Sequence, residues 1–333
     1  MKQVIIIEGH RPSLMPHGPD VEQAVLGNET RIFNFGAIEK ASPDLFAKAD
    51  AVIVRPGTPF GRERIDSLKQ CRVLVSLGIG YDHIDLETAK KRGIPVCNVP
   101  DYGVEEVADT ALAMTLYLHR RIGFFHRESH EGPLQWDWRL FRPIQRTRET
   151  KMGIIGLGRI GTSVALKAKG IGYSVQFFDP YLSRGIEKSV GLHRLFDLKT
   201  LLQTSDIVTI HTPLTAETRQ MIDEAFIGNM KENAILINVS RGGILKNLDV
   251  VMDALKKRPQ FAIGIDVLPE EPPPPHPLLD SWQKNETWIS GRFLLTPHAA
   301  FYSEEACLEL RRKSAEVVRQ VLDGGMPYNL LNE

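Results

Sequence analysis

One stretch limits this chain more than any other: residues 151–179 read KMGIIGLGRIG, TSVALKAKG, IG, then YSVQFFD. The pattern is strand, tight turn, helix, strand and a final acid. Three glycines, Gly156, Gly158 and Gly161, stand in the spacing that serves a sharp turn, a close backbone approach to a pyrophosphate, and a close helix–strand contact. Ile160, Val164, Ala165 and Ala168 share one apolar face, so the segment after the turn is expected to pack as a helix. Its N-terminus, with unpaired N–H groups and the positive end of the helix dipole, suits phosphate oxygens. Asp179 follows Gly156 at the separation expected of the acid that takes the ribose hydroxyls, and it would repel a 2′-phosphate. The stretch therefore predicts a Rossmann unit binding NAD in preference to NADP.

The 333 residues exceed what one core usually organises, which predicts two domains. The 41 basic and 41 acidic residues cancel, so no nucleic-acid or membrane surface is expected. Cys71, Cys97 and Cys307 form no paired spacing, which argues for buried free thiols in a reducing cytoplasm and against a disulfide framework or a zinc site. The N-terminal apolar run is too short for a signal peptide, and nothing is long enough to span a bilayer.

Segments 4–7, 31–35, 51–54, 72–77 and 95–99 are short, apolar and often β-branched, with helix-like stretches such as 63–69 and 85–91 between them. This alternation predicts a first parallel-sheet domain, flavodoxin-like and without a phosphate turn. A helix over 104–121 is expected to be buried on two sides, with Asp101 as its cap, Val107, Ala111, Met114 and Leu118 in one stripe and Arg120 and Arg121 in its last turn. Segment 125–150, with Trp136, Trp138 and Phe141, reads either as a surface loop or as a dimer arm. Strands at 206–210, 234–239, 262–267 and 293–296 complete the second sheet, and a last helix over 303–322, with Ala306, Leu310, Val317 and Val321 on one face, returns to the first domain. The expected division is 1–100 with 299–333 for the substrate domain, and 101–298 for the NAD-binding Rossmann domain.

Arg241 in INVSRGG, Glu271 in IDVLPEEP and His298 in LLTPHAA fall at strand ends of the second sheet, where ligands of open α/β sheets bind. Arginine holds a carboxylate bidentately and stays charged. Histidine moves protons near neutral pH, and a carboxylate at its other ring nitrogen fixes the ring. The set suits hydride transfer to a 2-oxo acid.

GLGRIG with FFDP, NVSRGG, IDVLPEEP and TPHAA, together with SLGIGYDHIDLETAKKRGIPVCNVP in the first domain, resembles the D-isomer-specific 2-hydroxyacid dehydrogenases. GIIGLGRIG, FDPYLSRGIEK, VSRGGIL and TPHAAFYSEEA are most similar to its C-terminal binding protein branch. The resemblance implies that Arg241 binds substrate and that Glu271, which directly precedes a proline, pairs with His298 as acid and base. It also implies a cofactor cleft lined by Gly156, Gly158, Arg159, Ile160, Gly161, Asp179, His211, Thr212, Thr218, Val239, Ser240, Arg241, Asp266 and His298, with Asp266 at the nicotinamide amide. The loop Ser76, Leu77, Gly78, Ile79 and Gly80 would offer N–H groups to the substrate carboxylate. Arg55 stands where phosphoglycerate-type relatives meet a distal anion, and otherwise is a surface charge.

Ser76 and Phe301 depart from the arginine and tryptophan of the corepressors in that branch. The segment between Glu271 and His298, with Trp282 and Trp288, is expected to shape the pocket rim. The resemblance implies a homodimer acting on a small 2-oxo or 2-hydroxy acid, with the 104–121 helix and the Trp136 region at its interface. An NAD(H)-sensing scaffold with little turnover is the alternative.

Overall fold

The computed structural model describes residues 1–9, 13–130, 134, 136–141 and 143–332. The chain forms two compact units, Met1–Gly103 with Tyr302–Glu333, and Val104–Phe301. Residues 101–103 thus go with the first unit and 299–301 with the second. Ala300 packs in the core of the second unit, and its carbonyl accepts a hydrogen bond from Thr110 Oγ1 at 3.3 Å.

The first unit is built on β1 (Lys2–Ile7), β2 (Thr30–Phe35), β3 (Ala51–Val54), β4 (Val73–Ser76) and β5 (Val96–Cys97), all parallel, in the order β2-β1-β3-β4-β5. Strands β3 and β4 are apolar along most of their length because helices cover both faces of such a sheet. The helix Leu86–Lys91 starts where the Asp85 carboxylate accepts from Thr88 N at 2.9 Å.

The returning helix Glu304–Leu322 is capped by Ser303 Oγ, which accepts from Ala306 N at 2.9 Å. Its buried stripe is the expected one, Ala306, Leu310, Val317 and Val321, widened by Ala315 and Val318. Arg72 donates to the carbonyls of Val321 and Leu322 at 2.7 and 2.9 Å, and Lys2 also donates to Leu322 O at 3.1 Å. Cations at the negative end of the helix dipole thus tie the last segment back to the first. Arg311 adds a buried fork, with Nε and Nη2 on Glu22 at 2.9 and 2.8 Å and Nη2 on Asp20 at 2.6 Å.

In the second unit β6 (Lys151–Ile155), β7 (Ser174–Phe178), β8 (His193–Leu195), β9 (Ile207–Ile210), β10 (Ile235–Asn238), β11 (Ala262–Ile265) and β12 (Phe293–Leu295) run parallel in the order β12-β11-β10-β9-β6-β7-β8. Strand order reverses between β6 and β9, which opens a crevice at their C-terminal ends. Strand β8 has no counterpart in the sequence reading, since HRL is short and polar and gains its strand character only from pairing with β7.

The helix Val104–His119 lays Val107, Ala111, Met114 and Leu118 on this unit's own core, where Gly264 of β11 leaves room for Met114 and Leu118. It ends two residues earlier than expected, because Arg121 turns with φ 55° into a new helix, Ile122–His130. Arg121 is buried, donating to Gln260 O at 2.8 Å and lying 4.5 Å over the Phe141 ring. The Asp101 side chain pairs with Lys313 at 2.7 Å. Positions 131–133, 135 and 142 of the suggested arm lie outside the described residues.

The three cysteines are free, with Cys97 and Cys307 buried. Among the described residues no helix is long and apolar enough to cross a membrane, and no group of three or more His, Cys, Asp or Glu side chains could hold a metal ion.

Candidate functional site

Strand β6 stops at Ile155, and the chain turns at Gly156 with φ 86°. A Cβ there would lie 2.8 Å from the His211 carbonyl oxygen and 2.9 Å from Thr212 Cγ2, so glycine lets the exits of β6 and β9 meet at the reversal. Gly161, in the first turn of the helix Arg159–Ile171, would place a Cβ 2.0 Å from the Gly156 carbonyl oxygen. Gly158 differs, because nothing lies within 4 Å of where its Cβ would be. Internal packing does not require this glycine. The open space at the helix N-terminus is what a pyrophosphate approaching the backbone needs.

The Asp179 carboxylate accepts from Leu157 N at 2.9 Å, Tyr181 N at 3.0 Å and Leu182 N at 3.3 Å. The acid at the end of β7 is thereby bound to the phosphate turn itself. Across the crevice, His211 Nδ1 and Thr212 Oγ1 are buried without a hydrogen-bond partner. His211 as a residue is only half-buried, but Nδ1 is sealed from water and Nε2 meets Thr209 Oγ1 at 2.9 Å. Burial pushes its pKa down to about 3, so the ring stays neutral at neutral pH. Buried polar atoms are nearly always paired, and two orphans beside an open glycine turn fit a dinucleotide.

Other expected cofactor contacts have structural duties. Ile160 packs against the core, and Arg159 is exposed. The Thr218 hydroxyl donates to Pro213 O at 2.7 Å and accepts from Thr215 N at 2.8 Å, which braces its own turn. Val239 is buried, and Ser240 Oγ donates to Ile210 O at 2.6 Å, locking the exit of β10 to that of β9.

The acid–base pair forms at the neighbouring strand ends. His298 Nδ1 lies 2.7 Å from Glu271 Oε2, and Glu271 Oε1 accepts from Leu268 N at 2.9 Å. His298 itself has φ 54°, a conformation unusual for a residue with a side chain. Its N–H donates to Asp266 O at 2.8 Å and to Thr296 O at 3.0 Å.

Asp266, expected at the nicotinamide amide, turns its buried carboxylate to the His298 loop. It accepts from Thr296 Oγ1 at 2.6 Å, Ala299 N at 2.8 Å and Ala300 N at 3.0 Å. The sequence reading missed Thr296, although its place two residues before the histidine was visible. Arg241 is held by Asn238, whose amide donates to Arg241 O at 3.2 Å, while Arg241 Nη1 donates to Ser240 O at 2.8 Å. Gly242 follows because a Cβ there would lie 1.7 Å from Leu268 O, so the exits of β10 and β11 touch. Trp282 meets Phe293 edge-on, and Trp288 packs against the core, so both tryptophans brace the sheet.

In the first unit the loop after β4 is turned largely inward. Ser76 is fully buried and donates Oγ–H to Gly80 O at 2.6 Å, Leu77 N donates to Val54 O at 2.8 Å, and Gly78 N to Ser76 O at 2.9 Å. Among the described residues this leaves the N–H groups of Ile79 and Gly80 without a partner. The expectation that Ser76, Leu77 and Gly78 offer donors is therefore corrected, because the turn consumes them. Arg55 is 8% exposed, a buried side chain and not a surface charge.

With this geometry in place, comparison with known proteins is direct. The D-isomer specific 2-hydroxyacid dehydrogenase, NAD binding domain family matches residues 112–300. D-3-phosphoglycerate dehydrogenase of Methanocaldococcus jannaschii is 34% identical over 284 residues, 85% of this chain and 52% of that protein, so the chain spans about half its length. Glyoxylate reductase of Korarchaeum cryptofilum is 35% identical over 286 residues, 85% of this chain and 83% of that protein. The crystal structure of D-lactate dehydrogenase from Aquifex aeolicus, complexed with NAD and lactic acid, superposes with a TM-score of 0.84 at 25% identity, covering 99% of both chains. The phosphate turn, the acid at the end of β7 and the His298–Glu271 pair all stand within the matched segment, and the chain belongs to the D-isomer-specific 2-hydroxyacid dehydrogenase family.

Proposed function

We propose that this protein is an NAD-dependent dehydrogenase that interconverts a 2-oxo acid and a D-2-hydroxy acid. The observation that carries the reading is the 2.7 Å His298–Glu271 contact at the sheet edge that also bears the glycine turn. NAD, when bound, supplies or accepts the hydride at C2 of the acid. Gly158 gives its pyrophosphate room beside the turn that Gly156 and Gly161 shape, Asp179 takes the adenosine ribose, and the orphaned His211 and Thr212 atoms give it hydrogen bonds.

Arg241 grips the substrate carboxylate through its planar fork. His298 Nε2 gives a proton to the alkoxide forming at C2, and takes it back in the reverse direction. Glu271 keeps the Nδ1 proton in place, so Nε2 faces the substrate in the correct state. The Ile79 and Gly80 N–H groups serve a substrate carboxylate, and Arg55 a second acidic group. The protein works in the cytoplasm, where its free thiols stay reduced. It acts as a homodimer through an exposed apolar surface that includes Ile122, Leu134, Trp136 and Trp138, at 51, 66, 90 and 72% exposure. The further likeness to the C-terminal binding protein branch rests on short sequence segments alone.

The test is NADH oxidation, followed by nicotinamide absorbance, with small, branched, dicarboxylic and phosphorylated 2-oxo acids. Turnover of at least one class is expected. NADH binding without turnover of any of them would overturn the reading. Arg55→Ala should raise KM for doubly acidic substrates while sparing neutral ones, and equal KM values for both in the two proteins would remove Arg55 from the site.

A further inference from the structure

Behind Asp179 lies a buried cation that the proposed chemistry does not use. Arg194 is the middle residue of β8, opposite Phe177 of β7, and is 8% exposed. Its Nη2 donates to Asp179 O and Leu182 O, both at 2.7 Å, and its Nη1 donates to Ser183 O at 3.0 Å. The guanidinium lies 5.8 Å from the Phe177 ring centre and 5.2 Å from that of Phe196, and Glu187 stands 3.7 Å away. Glu187 in turn accepts from Gly185 N at 3.1 Å with each carboxylate oxygen. One side chain thus collects three carbonyls of the 179–183 turn from beneath, while the Asp179 carboxylate collects three N–H groups of the same turn and the phosphate turn from above.

A buried guanidinium is costly unless its bonds are made, so its presence fixes the geometry around it. Nε remains buried without a partner, a cost that a residue serving only as packing would not carry. Lysine does not reproduce the fork, since its donors sit on one nitrogen, whereas Nη1 and Nη2 reach these carbonyls from two separate positions.

We propose that Arg194 is a positioning residue for the adenosine end of the cofactor, acting through Asp179 and contributing little to the hydride-transfer step. This rests on the NAD-dependent reading above. The turn must stay rigid for the Asp179 carboxylate to face two ribose hydroxyls, and without Arg194 its carbonyls at 179, 182 and 183 lose the donor that ties them together.

The experiment compares wild type, Asp179→Ala, Arg194→Ala and the double variant by titration with NADH, read from quenching of protein fluorescence. Arg194→Ala should weaken NADH binding about tenfold, the worth of one charge-assisted hydrogen bond, with kcat at saturating NADH within about twofold of wild type. In the Asp179→Ala background the same substitution should change the dissociation constant by less than about twofold, because coupled residues are not additive. An unchanged constant in Arg194→Ala, or a full tenfold loss repeated in the Asp179→Ala background, would overturn the proposal. Arg194→Lys, which keeps the charge and part of the bonding, should bind NADH with intermediate affinity. If Arg194→Ala fails to fold, wild-type affinity in Arg194→Lys is the overturning result. Wild type that binds no NADH would sink the parent reading instead, a failure distinct from these.

Discussion

The two units share one architecture and differ in what their strand ends do. In the first, the exit of β1 is held by Glu8, a 3% exposed carboxylate that accepts from Leu14 N at 2.7 Å and Asn34 Nδ2 at 2.9 Å, and the exit of β4 folds back through Ser76. In the second, the exits of β6 and β9 leave an open glycine and two orphaned polar atoms, and the exits of β10 to β12 present Arg241, Glu271 and His298. A parallel sheet thus gives both units the same platform. The units differ in the glycines and side chains that their loops carry at those strand ends, and the platform alone does not create the chemistry.

The comparison breaks first at His298. His298→Gln should lower turnover by roughly 10²–10⁴-fold while NADH still binds, and near-normal turnover would take the chemistry away from the second unit's strand ends. The first unit should answer in stability. Arg311→Leu strands the Glu22 carboxylate, which is 0% exposed, and should cost roughly 3–5 kcal/mol, seen as a lower Tm, with unchanged kcat/KM below the transition. A large change in catalysis with unaltered Tm would contradict that division.

The glycine turn sharpens the contrast within one motif. Gly161→Ala meets the Gly156 carbonyl oxygen and should lose about 1–3 kcal/mol of stability, whereas Gly158→Ala enters open space and should weaken NADH binding at constant Tm. The same loss of Tm in both variants would mean that packing, not the ligand, selects Gly158.

The narrowest effect, confined to acid solution, is the pH response of His211. Its folded pKa lies near 3, below the unfolded value, so between about pH 6.5 and 3 the unfolded chain binds more protons and stability falls as the solution is acidified. Replacing His211 with Asn should flatten the ligand-free melting curve's pH dependence by several degrees across that window. An unchanged slope would show that the ring is not sealed in solution.

Much of the second unit was legible because its signals are local. The turn 156–161, the acid at 179 and the motifs around Arg241, Glu271 and His298 each lie within a few residues of a strand end, so spacing and side-chain type carry them. The break at Arg121 was not legible, since its left-handed φ depends on a guanidinium finding Gln260 and Phe141, both distant in the chain. Strand β8 was equally hidden, because the short segment HRL becomes a strand only beside β7. The bonds that Asp266 makes were hidden for the same reason. Its partners at 296, 299 and 300 are some thirty residues away.

By itself the sequence determined the two α/β units, the dinucleotide turn and the placing of Arg241, Glu271 and His298 at strand ends, because periodicity, glycine spacing and side-chain chemistry are local properties. Only the tertiary structure decided which loop donors are already spent, why Gly158 is free and Gly161 is not, and that Arg194 stands behind Asp179. Those facts depend on which distant atoms come within 3 Å, and hydrogen-bond satisfaction is a property of the folded neighbourhood.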